Sequence, residues 1–532
     1  MNVVPVVVTA GAAAAAVPGG LRWLRVAQRE HYLPGSTSRF AKRWWLSTGW
    51  ANLGMGLGSV GAAAAASWFP WTALVSEGLV AAGPLGLKVR GRAKPLAWTP
   101  RMRSLAGVWA GSEAVVLGTS AVMAWRGIPG WATVAAVAPV ACPVLVDAAL
   151  AATAPFQRRS ASRWIDKARQ RLESVGPVVV GVTGSYGKTT TKGYIAHLCS
   201  RRWSVLASPA SFNNALGLAR TVNENLAAGT EVLVAEMGAF GPGEIARLCS
   251  WMHPRVGVIT ALGPVHLERF GSEEAIARAK AELVHAADVA VINVNYPRLA
   301  ALADDLERSG KRVWRCSGRC TPPTGVVVRQ EDDGVVVEMT PPPGAPGGLE
   351  PARARLESVP GATGNVACAL AAALEMGVPW EDAVAGLGSL PVASHRLEPQ
   401  LAPSGAVVLD DTYNSNPAGA RLALQTLAQV GSGGRRVVVT PGMVELGRLQ
   451  HQENASFAKE AAAAATDLVV VGRTNRSALV EGAREVESGR NGAGAARLKL
   501  VRSRDEAVAW VRETLGDGDA VLYENDLPDH FP

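Results

Sequence analysis

Two regimes of hydrophobic patterning meet near residue 155. Before it, apolar and small residues run on without a polar face: Val3 to Gly19, then stretches at about 46–67, 69–87, 104–125 and 128–153. Each approaches the roughly 20 residues that a helix needs to cross a bilayer. Residues 1–155 therefore read as a five-helix transmembrane region, with alanine and glycine suited to close helix packing in lipid. A cleaved leader is the alternative for the first stretch, but Met1-Asn2 supplies no basic segment ahead of it. Buried helices of a soluble domain are the plainer alternative for the whole region.

After residue 155 the pattern changes to short β-branched runs separated by helix-period segments. A basic helical connector covers 156–172, and Val178–Val182 opens a series of strands at about 231–235, 255–260 and 289–294. Strands alternating with helices predict a mostly parallel sheet covered on both faces. Gly325 to Met339 reads as a β-hairpin around Glu331-Asp332-Asp333-Gly334, Pro341 to Gly348 as a loop, and Asn365 to Met376 as an alanine-rich helix. A second α/β unit starts near Pro391, with strands at 406–409, 436–440, 468–471, 498–501 and 520–523. The expected fold class is α/β, with domains at 1–155, 156–390 and 391–532: a helical membrane region, a central nucleotide-binding domain and a Rossmann-like C-terminal domain.

Charge orients the helical region. Arg22, Arg25, Arg29, Arg39, Lys42 and Arg43 follow the first stretch, Lys88 to Arg103 follow the third, and Arg158 to Arg169 follow the fifth; the other two connections hold little charge beyond Arg126. The positive-inside rule places the basic segments in the cytoplasm, the N-terminus outside and everything after 155 inside. The net charge of +8 is concentrated there, so nucleic acid is not the expected partner. Glu77, Glu113 and Asp147 fall within apolar stretches, where a carboxylate is costly and faces either a polar cavity or a helix end. Arg29-Glu30-His31-Tyr32 suits an anionic lipid head group, although topology signalling accounts for its charges equally well. The six cysteines show no framework spacing; Cys316 and Cys320 have the look of a metal half-site but no second half, so reduced thiols are expected.

The chemistry starts at Val178-Val179-Val180-Gly181-Val182-Thr183-Gly184-Ser185-Tyr186-Gly187-Lys188-Thr189-Thr190. A strand, a glycine turn and a helix start form a cradle for phosphate, because amide N–H groups converge where the helix N-terminus favours an anion. Lys188 is placed to reach the β/γ-phosphates and the Thr189 hydroxyl to meet magnesium, although Val182 stands where strict phosphate-loop spacing has its first glycine. Glu236 ends the next long strand, where an α/β sheet presents a carboxylate to Mg²⁺.

These motifs together resemble the Mur ligase family. The resemblance spans about 175–525 and is carried by the segment 183–192, Asn213-Asn214, Glu236-Met237-Gly238, Pro242-Gly243-Glu244-Ile245, Gly263-Pro264-Val265-His266-Leu267-Glu268, Ala279-Lys280-Ala281-Glu282, His395-Arg396-Leu397-Glu398 and Asp410-Asp411-Thr412-Tyr413-Asn414-Ser415-Asn416-Pro417. It is closest to the members that add D-alanyl-D-alanine. The resemblance implies ATP held by Thr183, Gly184, Ser185, Gly187, Lys188, Thr189 and Thr190, with Asn293 and Arg396 as further nucleotide contacts. It implies two Mg²⁺ ions on Thr189, Glu236, His266 and Lys280, the last carried by the family as a carbamate. It makes Lys188, His266, Lys280, Arg396 and Asp411 the catalytic set, and Asn213, Asn214, Asn414 and Asn416 the substrate contacts. The implied reaction is attack of a carboxylate on the γ-phosphate, followed by attack of an amine on the acyl phosphate. Gly364-Asn365 and Cys368 depart from the family pattern near adenine, and Glu524-Asn525-Asp526 departs from it near the chain end.

The expected protein is thus a cell-membrane, multi-pass ATP-dependent carboxylate–amine ligase with cytoplasmic catalytic domains, joining an amino-acid or peptide amine to a carboxylate on an envelope or lipid-linked acceptor. Alternatives are ligation of D-alanyl-D-alanine to UDP-N-acetylmuramoyl-tripeptide, a folylpolyglutamate- or poly-glutamate-type elongase, and a non-catalytic membrane scaffold or nucleotide sensor.

Overall fold

The computed structural model describes residues 3–47, 49–87, 96–210, 212–265, 267–391, 399–412, 416–430, 434–489 and 496–527 of the chain. It forms two units, one up to Ala161 and one from Ser162 to Asp526. The boundary falls within a single long helix.

The first unit is helical: α1 (Val4–Arg29), α2 (Ser36–Ser47), α3 (Trp50–Ala65), α4 (Thr72–Ala82), α5 (Pro100–Trp125) and the start of α6 (Trp131–Val175). Among the described residues α1, α5 and α6 are long and apolar enough to cross a membrane. The second and third apolar stretches form helices of 16 and 11 residues that pack together across a turn at 67–71. At 1.5 Å per residue they span about 24 and 17 Å, less than the ~30 Å bilayer core. Small residues permit close approach: a Cβ on Gly20 would lie 2.0 Å from the Trp109 ring.

Polar groups in this unit have structural work. Arg22 donates to the carbonyls of Val80, Ala81 and Gly83, satisfying the C-terminal end of α4. Asp147 accepts from the backbone N–H of Thr37 and Ser38 and from the Ser38 hydroxyl at the start of α2. Glu113 accepts from Trp109 Nε1 and Cys142 Sγ. Both carboxylate oxygens of Glu77 are buried without a hydrogen-bond partner.

The second unit holds two sheets. The central one runs through β1 (Val178–Thr183), α7 (Lys188–Cys199), β2 (Val205–Ala207), α8 (Ala215–Asn225), β3 (Val232–Glu236), α9 (Glu244–Met252), β4 (Val256–Ile259), α10 (Leu267–Phe270), α11 (Glu273–Ala286), β5 (Val289–Asn293), α12 (Pro297–Arg308), β6 (Arg312–Ser317), β7 (Gly325–Glu331), β8 (Gly334–Thr340), β9 (Ala352–Leu356), α13 (Thr363–Glu375) and α14 (Trp380–Leu387). Its order is β2-β3-β1-β4-β5-β6-β7-β8-β9. Pairing is parallel through β7, and the β7–β8–β9 meander is antiparallel. Valines of alternate register face two cores. One lies under α7, α13 and α14, and the other under the end of α6 with α8, α9, α11 and α12. The expected hairpin is β7–β8, and α13 is buried almost throughout because alanine lets strands approach it closely.

The C-terminal sheet has order β10-β11-β15-β12-β13-β14. Its elements are β10 (Pro399–Leu401), β11 (Val407–Asp411), α15 (Pro417–Val430), β12 (Arg436–Thr440), α16 (Gln450–Ala464), β13 (Asp467–Val471), α17 (Arg476–Gly489), β14 (Arg497–Val501), α18 (Arg504–Thr514) and β15 (Ala520–Glu524). All its pairings are parallel except β10–β11. β1, β3, β4 and β5 end side by side, which gathers the loops that carry the chemistry at one edge.

Candidate active site

The loop between β1 and α7 needs its glycines. Gly184 has φ 150°, and a Cβ there would meet Thr260 Oγ1 at 2.2 Å; Gly187 has φ 74° and its Cβ would meet the Asn365 side chain at 2.7 Å. The segment after β4 braces the loop. Ser185 N–H donates to Ala261 O at 2.8 Å, Ser185 Oγ donates to Gly263 O at 3.0 Å, and Gly263 N–H donates back to Ser185 Oγ at 3.1 Å. Thr183 is fully buried, and its carbonyl accepts from Thr260 N–H at 3.0 Å. Thr189 and Thr190 lie in the first turn of α7, and Lys188 folds over the loop with Nζ 2.8 Å from Gly184 O and 3.3 Å from Ser185 O.

Glu236 lies at the centre. Its Oε2 accepts from Thr189 Oγ1 at 2.8 Å, and its Oε1 accepts from Asn213 Nδ2 at 3.1 Å. Lys192 Nζ is 3.5 Å from Oε2, with both side chains nearly buried, and also donates to Ala210 O at 2.6 Å. Burial lowers the Lys192 pKa, while Glu236 opposes that shift. The hydroxyl and the carboxylate are the hard oxygen ligands that Mg²⁺ takes beside phosphate oxygens and water. The glycine cradle and this oxygen pair therefore fit a magnesium–nucleotide group. Among the described residues no three His, Cys, Asp or Glu side chains form a cluster able to hold a metal alone.

Lys280, on α11, is buried and held down to a pKa of about 7, first by burial and then by the Lys188 charge, against the opposing carboxylates of Glu244, Glu282 and Glu236. Asn293 Nδ2 donates to Thr260 O at 2.7 Å, so its amide joins the tips of β4 and β5. Asn213 supports Glu236, Asn214 caps α8 through Gly217 N–H, and Asn416 caps α15 through Gly419 N–H. Asp411 ends β11 in register with Glu524, both buried. His266, Arg396 and Asn414 lie outside the described residues. The two domains touch where Leu267 N–H donates to Glu445 O at 3.0 Å.

Several supporting residues carry no motif of their own. Thr260 Oγ1 donates to Tyr186 O, Glu236 N–H donates to Ser208 Oγ, and Asn365 faces Gly187. In the C-terminal domain the amides of Asn454, Asn475 and Asn525 hold the 441–443 turn. A hydrophilic residue repeatedly placed beside a glycine turn is the signal that could have found them. Cys316 is buried and Cys320 exposed, and the latter sits 3.2 Å from Ser317 Oγ.

Comparison with known proteins agrees with this geometry. The Mur ligase middle domain matches residues 182–338, and the Mur ligase glutamate ligase domain matches 395–523. The UDP-N-acetylmuramoyl-tripeptide–D-alanyl-D-alanine ligase of Mycobacterium leprae is 34% identical over 384 residues, covering 66% of this chain and 71% of that protein. Its counterpart in Mycobacterium tuberculosis is 32% identical over 438 residues, covering 77% of this chain and 83% of that protein. A crystal structure of MurF from Acinetobacter baumannii superposes with TM-score 0.56 at 26% identity, over 69% of this chain and 77% of that one.

Proposed function

Since the chain belongs to the Mur ligase family, whose members form an amide bond at the expense of ATP, we propose that it joins D-alanyl-D-alanine to the terminal carboxylate of a muramoyl-tripeptide acceptor. This is the peptidoglycan-precursor reaction named for its relatives. The observation that carries the reading is the match across both catalytic domains to D-alanyl-D-alanine-adding ligases. The Lys188, Thr189 and Glu236 arrangement supports it.

Such a ligation needs alignment and charge neutralisation more than a protein nucleophile. The loop amides and Lys188 would hold the phosphates of ATP. Thr189 and Glu236 would hold Mg²⁺, which when bound offsets phosphate charge; His266 and carbamylated Lys280 are the proposed ligands of a second ion. A lysine with pKa near 7 is half neutral at physiological pH, and the neutral amine is the form that adds CO₂. Arg396 and Asp411 are proposed to act from the C-terminal domain, on the phosphates and on the incoming amine. Asn213, Asn214, Asn414 and Asn416 are the proposed acceptor-side contacts.

A second reading keeps the reaction and makes the acceptor membrane-bound. Among the described residues most exposed large apolar side chains lie before residue 160, including Trp50, Trp68, Phe69, Trp71 and Trp125 at helix ends. An apolar belt with interfacial tryptophans is the surface a bilayer covers. The topology survives the short α3–α4 pair. Whether that pair crosses twice or dips in and returns, the basic segments after α1 and before α5 stay on one side.

The test is ligation of D-alanyl-D-alanine to UDP-N-acetylmuramoyl-tripeptide by the detergent-purified full chain, beside a lipid-linked muramoyl-tripeptide. Product from the soluble acceptor supports the first reading, and product only from the lipid-linked one supports the second. ATP turnover with glutamate and a growing product ladder would overturn both in favour of an elongase.

A further inference from the structure

Tyr186 stands in the middle of the phosphate-binding loop, between Ser185 and Gly187. Its ring lies against Gly263, where a Cβ would come within 2.4 Å of the phenol oxygen. That contact commits the ring to one direction, because only a residue without a side chain leaves it room. The loop behind it is fixed as well, since Tyr186 O accepts from Thr260 Oγ1. The phenol oxygen is buried and has no hydrogen-bond partner. Burial holds the phenol well above its ordinary pKa, with smaller electrostatic influences from Tyr296 and Glu273 of the central domain and from Glu453 and Arg421 of the C-terminal domain.

A buried hydroxyl left unsatisfied is destabilising, and phenylalanine would fill the same space without that cost. The donor is also next to the cradle yet separate from its phosphate-holding groups, Lys188 and Thr189. Resting on the ligase reading above, we propose that Tyr186 is a substrate-contacting residue whose hydroxyl donates to the acceptor's reacting carboxylate, orienting it towards the γ-phosphate. Gly263 is then the clearance that lets the phenol reach this position. A hydrogen bond to a charged group is worth about 1.5–3 kcal/mol, which corresponds to a ten- to hundredfold change.

The test is Tyr186→Phe in the full chain, with UDP-N-acetylmuramoyl-tripeptide, D-alanyl-D-alanine and ATP as substrates. The expected result is a fall of at least tenfold in kcat/KM for the acceptor, KM for ATP within twofold of wild type, and a ligand-free melting temperature equal to or above wild type. Unchanged acceptor kinetics beside an active wild type would overturn the role of Tyr186 alone. So would a loss confined to ATP, or a lowered melting temperature, which would show that the hydroxyl is bonded within the fold. A wild-type enzyme inactive on this pair would instead count against the acceptor assignment, and the melting comparison would still decide whether the hydroxyl lacks a partner.

Discussion

The Thr189 hydroxyl donates to Glu236 Oε2 across 2.8 Å, joining the first turn of α7 to the end of β3. Residues 47 positions apart thereby form one oxygen pair, with Lys192 balancing the buried charge from the side. Glu236→Gln keeps the shape and the Asn213 contact but removes the charge. It is expected to lower kcat by about 10²–10³ and to raise the Mg²⁺ needed for half-maximal rate. Magnesium titration of ATP-dependent ligation checks this, and wild-type dependence would remove Glu236 from the metal site.

Lys188→Ala is expected to abolish phosphate release while leaving the fold intact. Its ammonium donates to the loop carbonyls of Gly184 and Ser185 over the cradle. Circular dichroism with a phosphate-release assay tests both halves. Normal turnover would show that the loop is not the nucleotide site.

Lys280 makes stability depend on pH in a defined direction. Its folded pKa of about 7 lies below the ordinary 10.5. Below pH 7 both folded and unfolded chains are protonated, so the cost of burying the charge is fully present. Between about pH 7 and 10.5 the unfolded chain binds the extra proton, so stability rises with pH, by roughly 5 kcal/mol at most. Denaturant unfolding of ligand-free protein across this range should show the rise, and Lys280→Met should flatten it. With ¹³C-bicarbonate, wild type should give a carbamate signal near neutral pH that Lys280→Met lacks.

Glu375 offers a control away from the chemistry. Its buried carboxylate accepts from Arg312 Nη1 and Trp314 Nε1, both at 2.8 Å, tying the end of α13 to β6. Glu375→Ala should destabilise the protein by about 3 kcal/mol, since it strips one partner from a buried pair. The surviving folded protein should keep its Mg²⁺ dependence.

Much of the catalytic half was legible along the chain because its signals are local. A β-branched run, a glycine turn and Lys188-Thr189 predict strand, cradle and helix without any distant partner, and Glu236 shows itself at a strand end. The strands β2, β6, β9 and β10 are not legible in the sequence: they are short, or alternate charged and apolar residues, and neighbouring strands decide their pairing. Asn214 and Asn416 also cap α8 and α15 through Gly217 and Gly419 N–H, a role that shows only once the backbone around each helix start is in place.

The sequence by itself determined the order of elements, the α/β class, the family and the apolar character of the first 155 residues, since all of these are written in period, composition and short motifs. Only tertiary structure decided that the second and third apolar stretches form a short helical pair, that Asn213 and Lys192 serve Glu236, and that Gly263 makes room for Tyr186. Those facts depend on distances between residues far apart in the chain, which burial and backbone hydrogen bonding set when the sheet edge assembles.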